Sequence, residues 1–336
     1  MKATIQHVAE EAGVSVSTVS RAFTKPDLVA RKTRDRILAI ADNLDFRISR
    51  SATALKTGQS LRVAFLTSDP LATWFNAHVF EGMNSVLQQA GYDISLYQID
   101  TPEKRHDFFS ILPVQRNADA VIVSSFDIDP TETGRLNTAK VPIIGINVPT
   151  TTSYTASISI DDAAGMQLLA QHLITLGHRQ IAFVGVPQDS KIHFSAHKRE
   201  RAFVDTCLAT SITPSVIHVE DDDELVSNVM TALLNLAQMP TAVCFQHDSM
   251  AIRLWTSLRK YGMECPHDIS ICGFDDSTYA KDISLTTIRQ DPQKTGQAAA
   301  EKTLRLMAGD SSFQTHQLVP VHLIARESTA KVSASS

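Results

Sequence analysis

Apolar residues recur at helical spacing through the first 45 positions, then give way to short apolar runs alternating with longer amphipathic stretches. Ile5, Val8, Ala9 and Ala12 fall at i, i+3, i+4 and i+7 behind Thr4, a residue suited to cap a helix start. Gly13 follows, where a tight turn needs a residue free to take positive φ. Ser15 caps a second helix, with Val14 and Val19 at the two positions of a hydrophobic staple. Val19, Ala22 and Phe23 face inward, leaving Val16, Ser17, Ser20 and Arg21 on the outer face. Pro26 lies in the loop that follows, and Thr33 caps a third helix whose apolar stripe is Ile37, Ile40, Ala41 and Leu44. Three short helices, the first two joined by a tight turn, form the helix-turn-helix arrangement, whose second helix enters the major groove of DNA. An ordinary three-helix bundle with a polar surface fits the same pattern.

From Leu61 onward, strand-like runs cover 62–67, 93–98, 120–125, 142–147, 181–185, 216–219, 242–246 and 269–274. Amphipathic helices fit between them, among them 76–90, 162–176, 199–208, 225–237, 249–261 and 293–307. Near-continuous apolar strands in repeated βα units predict a parallel sheet covered on both faces. The stretch is too long for one small sheet. Two doubly wound lobes with a ligand crevice beyond the strand ends satisfy it, and a single eight-stranded barrel has the same periodicity.

Composition narrows the class. The 43% hydrophobic and 20% charged fractions are those of a globular protein, and no run approaches the roughly 18–20 apolar residues of a membrane span. The N-terminus runs from Met1 straight into a polar amphipathic segment without the apolar core of a secretory signal, so the expected location is the cytoplasm. Cys207, Cys244, Cys265 and Cys272 form no CxxC pair and have no zinc-type His spacing, so they are expected to be reduced and mostly buried, with no metal. Residues 1–60 hold ten Lys/Arg against six Asp/Glu, a net +4, whereas the remainder is net −9. A basic head on an acidic body is expected if only the head meets phosphate. No HExxH, Walker A or Gly-x-Ser-x-Gly sequence is present, so neither an enzyme nor a cofactor is expected.

The run from Thr4 to Arg21, with Ala12-Gly13-Val14-Ser15 and Thr18-Val19-Ser20-Arg21 at this spacing, closely resembles the opening of the lactose/galactose-repressor family of bacterial transcriptional regulators. The resemblance continues through Gly91-Tyr92, Ala118-Asp119-Ala120, the run from His172 to Ala182, that from Ile269 to Asp276, and that from Leu285 to Asp291. It implies an α/β fold with an N-terminal three-helix helix-turn-helix head. To this it adds a two-lobed, periplasmic-binding-protein-like core of doubly wound parallel sheets, crossed three times by the chain. The implied division is a DNA-binding head at 1–46, a hinge helix and linker at 47–60, a ligand-binding and dimerisation core at 61–330, and a disordered tail at 331–336. By analogy the N-lobe takes about 61–158 with a return near 290–320.

In that family the residues matching Val16, Ser17 and Arg21 read bases, and those matching Ser15, Thr18 and Thr33 mainly position phosphates. Arg21 can donate two hydrogen bonds to a guanine edge, while Val16 reads at most a thymine methyl. Thr4, Ile5, Ser20 and Thr24 complete the expected contact set of the head; Thr24 stands where the family usually carries Asn. The stretch from Phe46 to Gln59 looks like the family's hinge helix, too short to be stable alone in water. Ser49, Arg50 and Ala52 belong to that expected contact set, and the residue matching Leu55 is wedged between base pairs in the minor groove. Leu55 packed on the core domain is the plainer alternative. Ile48-Ser49 replaces the family's usual Pro-Asn, which removes a rigid helix start.

For the small-molecule site, Arg199 stands before Ala202-Phe203 at the spacing of the family's Arg-x-x-Gly-Phe, where the Arg commonly grips ligand hydroxyls or a carboxylate. Asp275 matches the aspartate after Gly-Phe that accepts hydroxyls from sugars in many members. His247 and Asn147 end predicted strands, Asp69 sits at the first crevice edge, and Phe75 and Phe126 could stack on a sugar ring. Each has a structural alternative: a solvated charge, a braced strand end, a buried histidine or core packing. The expected partners are operator double-stranded DNA, a second copy of the chain and a small effector. A sugar inducer is favoured over a purine-like corepressor, and a sugar-binding module without a DNA role is the rival that lacks use for the head.

Overall fold

The computed structural model describes residues 3–24, 26–46, 58–115, 117–148, 150–187 and 194–332. The chain divides into two compact units, Met1–Leu61 and Arg62–Ser336.

In the first unit, α1 (Ile5–Ala12), α2 (Val16–Thr24) and α3 (Arg31–Asn43) close around Val8, Ala9, Ala12, Val19, Ala22, Ile37, Ala41 and Phe46. Thr4 and His7 form a reciprocal capping box at the start of α1, each side chain serving the other's backbone N–H at 3.4 Å. Gly13 ends α1 at φ 60°, the left-handed conformation that turns the chain into α2. The Ser15 hydroxyl accepts from the backbone N–H of Thr18 at 3.2 Å, as an N-cap does. Phe23 meets Phe46 edge-on, with ring centroids 6.2 Å apart.

The third helix departs from the expected start. It begins at Arg31 behind Ala30, so Thr33 lies in the first turn and caps nothing. The backbone N–H groups of Thr33 and Arg34 both reach the Ala30 carbonyl at 2.9 Å, so the helical hydrogen bonds already run there. A short 3-10 turn over Pro26–Leu28 delivers the chain to that point.

The second unit holds two parallel sheets. The first contains β1 (Arg62–Thr67), β2 (Asp93–Gln98), β3 (Ala120–Ser124), β4 (Ile143–Ile146), β5 (Ala156–Ile160) and β11 (His316–Val319), in the order β11-β5-β4-β3-β1-β2. The second contains β6 (Ile181–Gly185), β7 (Ser215–His218), β8 (Ala242–Phe245) and β9 (Ser270–Cys272), in the order β7-β6-β8-β9. A small antiparallel pair, β10 (Thr287–Arg289) with β12 (His322–Ile324), completes the strands. Two open sheets exclude the single barrel. The helices in chain order are α4 (Trp74–Leu87), α5 (Pro102–Gln115), α6 (Pro130–Ala139), α7 (Asp162–Thr175), α8 (Phe194–Ala209), α9 (Leu225–Leu234), α10 (Asp248–Ser257) and α11 (Pro292–Met307).

Strand alternation builds a core on each face of each sheet. In β1, Val63 and Phe65 join Val79 and Met83 of α4 and Ala299 of α11, while Ala64 and Leu66 join Phe109 of α5 and Leu136 of α6. In β6, Phe183 packs with Leu169 of α7 and Phe203 of α8, while Val184 packs with Val229 of α9 and Leu254 of α10. Cys207, Cys244 and Cys272 are buried in the second lobe as free thiols. The chain passes between lobes three times: from β5 into α7, from β10 into α11, and from β11 into β12. The return helix α11 lies backbone to backbone on α4. A Cβ at Gly82 would overlap the Gln293 carbonyl, and one at Gly296 would overlap the Val79 carbonyl.

Candidate functional site

Two places gather the residues expected to carry chemistry. On the head, the start of α2 is a cluster of hydroxyls. The Ser15 Oγ lies 2.7 Å from the Ser17 Oγ and 2.9 Å from the Thr18 Oγ1. Val16 is 41% exposed, an open position for an apolar side chain on a helix whose opposite face carries buried Val19 and Ala22. Ser17 and Arg21 are exposed beside it, and Ser20 is half-buried. This face projects hydroxyls, free N–H groups of a helix start and one guanidinium, a set suited to phosphate oxygens and base edges. Thr4 is exposed at the start of α1, whereas Ile5 is half-buried against the head's core. Thr24 is the last residue of α2, and Thr33 is half-buried in the first turn of α3. Ser49, Arg50, Ala52 and Leu55, with the rest of the expected hinge helix, lie outside the described residues.

In the second lobe, Arg199, His247 and Asp275 come together at the carboxyl ends of β8 and β9. Arg199 projects from α8 and is 2% exposed. Its Nε donates to the Oδ1 of Asp162, in the first turn of α7, at 2.7 Å. Its Nη1 donates to the Gln246 carbonyl at 3.0 Å and reaches the His247 Nδ1 at 3.1 Å. The same nitrogen stands 3.7 Å from the Asp275 Oδ1, and the guanidinium lies 3.7 Å over the Phe274 ring. Nη1 and Nε are therefore spent inside the protein. Through these contacts Arg199 holds Asp162, Asp275 and His247 in place.

Asp275 adopts φ 132°, a conformation rare outside glycine, and is pinned there on both sides. Its backbone N–H donates to the Ile288 carbonyl at 2.8 Å, and the Gln290 Nε2 donates to its Oδ1 at 2.6 Å. Its Oδ2 is 3.8 Å from the His247 Nδ1, beyond hydrogen-bond range. Beneath this pair lies Asp248, which is fully buried. Its Oδ1 accepts from the Thr287 hydroxyl at 2.7 Å and its Oδ2 from the Ser277 N–H at 2.8 Å. Burial, reinforced by the charge of Asp275, pushes the Asp248 carboxyl up to about 7. Gly273 leaves room for it, since a Cβ there would strike the Asp248 Oδ1.

The first-lobe candidates behave differently. Phe126 is 1% exposed in the core among Phe109, Leu136 and Tyr154, so it has no free ring face for a sugar, which corrects that expectation. The Tyr154 hydroxyl holds its carbonyl at 2.7 Å. Asn147, at φ 48°, accepts from the Ile160 N–H at 3.0 Å and braces β4 against the end of β5. Phe75 is half-buried against the cluster around Val63 and Met83. Asp69 is half-buried, its carbonyl taken by the Thr67 hydroxyl at 2.8 Å and the Asn76 amide at 3.2 Å. Asp162, Gln246, Phe274 and Gln290 belong to the second-lobe cluster but were not singled out from the sequence. Gln290 lies within a stretch that resembles the family, yet nothing local distinguishes it.

Comparison with known proteins now bears on both places. Residues 4–49 match the model of bacterial regulatory proteins of the lacI family, and residues 170–329 match that of the periplasmic binding protein-like domain. The chain carries a lacI-family helix-turn-helix domain followed by a periplasmic-binding-protein-like domain. It is 28% identical to the lactose operon repressor of Escherichia coli strain K12, covering 97% of this chain and 90% of that one. It is 27% identical to the transcriptional repressor PurR of Vibrio vulnificus strain CMCP6, over 98% of this chain and all of that one. A crystal structure of the Lac repressor dimer bound to operator and the anti-inducer ONPF superposes with a TM-score of 0.83 at 28% identity, covering 98% of this chain and 100% of that one. The chain thus joins a DNA-binding helix-turn-helix head to an effector-binding core, the composition of an effector-controlled transcriptional repressor. Among the described residues, no helix is long and apolar enough to cross a membrane.

Proposed function

We propose that the chain is a homodimeric operator-binding repressor of the cytoplasm whose grip on DNA is loosened by a sugar bound in its core. The observation that carries the effector half is the Arg199-Asp162-Asp275-His247 cluster at the strand ends of the second lobe. Buried carboxylates held by a guanidinium offer fixed acceptors, which suit hydroxyls. The head at 1–46 supplies Arg21, Ser17 and Val16 for bases, with Ser15 and Thr18 for phosphate. The hinge at 47–60 supplies Leu55 as a wedge, and the core at 61–330 binds effector and pairs with its copy. Pairing places two heads on a two-fold site, as in the operator-bound Lac repressor dimer.

The chain acts by binding rather than catalysis. Effector binding controls DNA only if one arrangement of the lobes takes the effector more tightly than the other. The three crossovers are where such a change must be absorbed.

The test is selection of random duplex DNA on the purified protein, with Leu55→Ala beside the wild type. The expected result is an enriched two-fold palindrome, weakened by the substitution and released by a sugar. Enrichment that requires an added purine would replace the inducer reading by a corepressor reading. No enrichment under either condition would refute the repressor.

A further inference from the structure

Two consecutive residues beyond β9, Asp275 and Asp276, both adopt positive φ, 132° and 54°. Asp275 belongs to the cluster around Arg199, whereas Asp276 holds two other arginines. Its Oδ1 accepts from the Arg326 Nη2 and its Oδ2 from the Arg289 Nε, each at 2.6 Å. Its backbone N–H donates to the Thr287 hydroxyl at 3.2 Å. Arg326 is fixed in turn, since its Nη1 donates to the Leu285 carbonyl at 2.7 Å and its backbone N–H to the Thr286 hydroxyl at 2.9 Å. One carboxylate thus carries a short charge-assisted bond on each oxygen. The Asp276 and Arg326 side chains are 9% and 14% exposed, against 55% for Arg289, so the Arg326 arm is the stronger of the two.

The two arginines stand at two of the places where the chain passes between lobes. Arg289 ends β10, just before the chain crosses to α11, and Arg326 follows β12, which receives the chain from β11. Asp276 therefore ties the second-lobe ends of both crossovers to the end of β9. The third crossover is tied one residue away: Asp162, in the first turn of α7, is held by Arg199, whose Nη1 stands 3.7 Å from the Asp275 Oδ1. On the other side, the Asp161 N–H is bonded to the Val319 carbonyl of β11, and the Asp291 side chain caps α11 through the Lys294 N–H. A rotation of the lobes is thereby confined to three short links, at 161–162, 290–291 and 320–321.

We infer that Asp276 is a positioning residue that makes the crossovers turn with the second lobe, so that movement at the effector cluster reaches the first lobe. The inference rests on the repressor reading above and adds to it a coupling residue whose two carboxylate oxygens are both engaged inside the protein. Without this clamp, the ends of β10 and β12 are free to follow the first lobe, and the rotation is absorbed where it begins. A ligand then binds without transmitting its preference for one arrangement of the lobes.

The experiment uses the full-length protein and the duplex recovered by the selection above. Operator binding is measured with and without galactose, glucose, cellobiose and ribose, and binding of the same sugars is measured by calorimetry. Asp276→Asn keeps a residue that tolerates φ 54° and removes the charge that the arginines share. The sugar that releases the wild type should weaken its operator binding about tenfold or more, a factor that should fall to about twofold or less in Asp276→Asn. Operator affinity without sugar, and sugar affinity without operator, should both stay within about threefold of the wild type, because Asp276 contacts neither ligand in this reading. Arg326→Met should reproduce the effect, and combining it with Asp276→Asn should remove no more than either alone. Hydrogen exchange read by mass spectrometry should show residues 286–289 and 322–326 exchanging at least about tenfold faster in Asp276→Asn, with β6 unchanged. An unchanged or enlarged release factor, a fall in both affinities that leaves the factor intact, or exchange that rises equally in β6 would overturn the assignment. If none of the four sugars releases the wild type, the sugar reading fails and exchange decides the clamp: acceleration confined to the two segments upholds it, and unchanged exchange discards it.

Discussion

Replacing Asp248 by Asn isolates the cost of keeping a carboxyl beside the proposed effector site. Both oxygens of Asp248 accept hydrogen bonds, from the Thr287 hydroxyl and the Ser277 N–H, and the group is fully buried. Asparagine preserves both contacts: its Oδ1 accepts from Ser277 and its Nδ2 donates to the Thr287 oxygen. What changes is titration. In the unfolded chain the Asp248 carboxyl ionises near 3.9, and in the fold it is pushed up to about 7. A raised folded value means the native state holds the proton more tightly. The associated stability is present below about pH 4 and is lost as pH rises toward 7. Three units at about 1.4 kcal/mol each give roughly 4 kcal/mol over that window. Asp248→Asn does not titrate, so its stability relative to the wild type should climb by about 4 kcal/mol between pH 4 and pH 8 and then level off. Urea unfolding at half-unit steps of pH, read by fluorescence, would follow this; Trp255 lies in α10, which Asp248 begins. Carboxylates remote from Asp248 titrate alike in both proteins and cancel. A difference curve that stays flat from pH 4 to pH 8 would refute the reasoning and mean that Asp248 is charged in the fold, held by Thr287, Ser277 and the start of α10.

Three further outcomes follow from the same geometry. Arg199→Met removes the partner of Asp162 and Asp275 and should destabilise the core by about 3–5 kcal/mol in urea unfolding; adding Asp162→Asn should recover part of it, and strict additivity of the two losses would contradict the pairing. Arg21→Ala should weaken operator binding by about 1–3 kcal/mol and relax preference at a single base pair; an unchanged preference would remove Arg21 from base reading. Gly82→Ala places a methyl against the Gln293 carbonyl where α4 and α11 touch, and should cost about 1–3 kcal/mol or more by thermal unfolding; an unchanged midpoint would show that the two helices separate freely.

The amino-acid sequence by itself determined whatever depends on residues a few positions apart. The Thr4 cap, the Gly13 turn and the Ser15 cap are each completed within five residues, and so the first two helices were legible. The strands β1 and β6 fall at their predicted boundaries because near-continuous apolar runs are buried on both faces, and the partly exposed edge strand β2 falls at its own. Local signals failed where a neighbour overrode them. Thr33 resembles a cap, but the carbonyl of Ala30 had already begun the helix. β5, β10, β11 and β12 escaped notice: Ala156–Ile160 is only weakly apolar, β10 and β12 are three residues long, and β11 is a half-exposed edge. Phe126 could have been a stacking platform or core, and nothing in its surroundings along the chain separates the two. Tertiary structure alone decided the second-lobe cluster proposed to take the effector, because its bonds join distant positions: Arg199 to Asp162 across 37 residues, Arg199 to Gln246 across 47, and Gln290 to Asp275 across 15. Which atoms of that cluster are spent inside the protein and which still lack a partner depends on the crossovers that bring them together. The sequence names the residue types, and the fold sets their bonding.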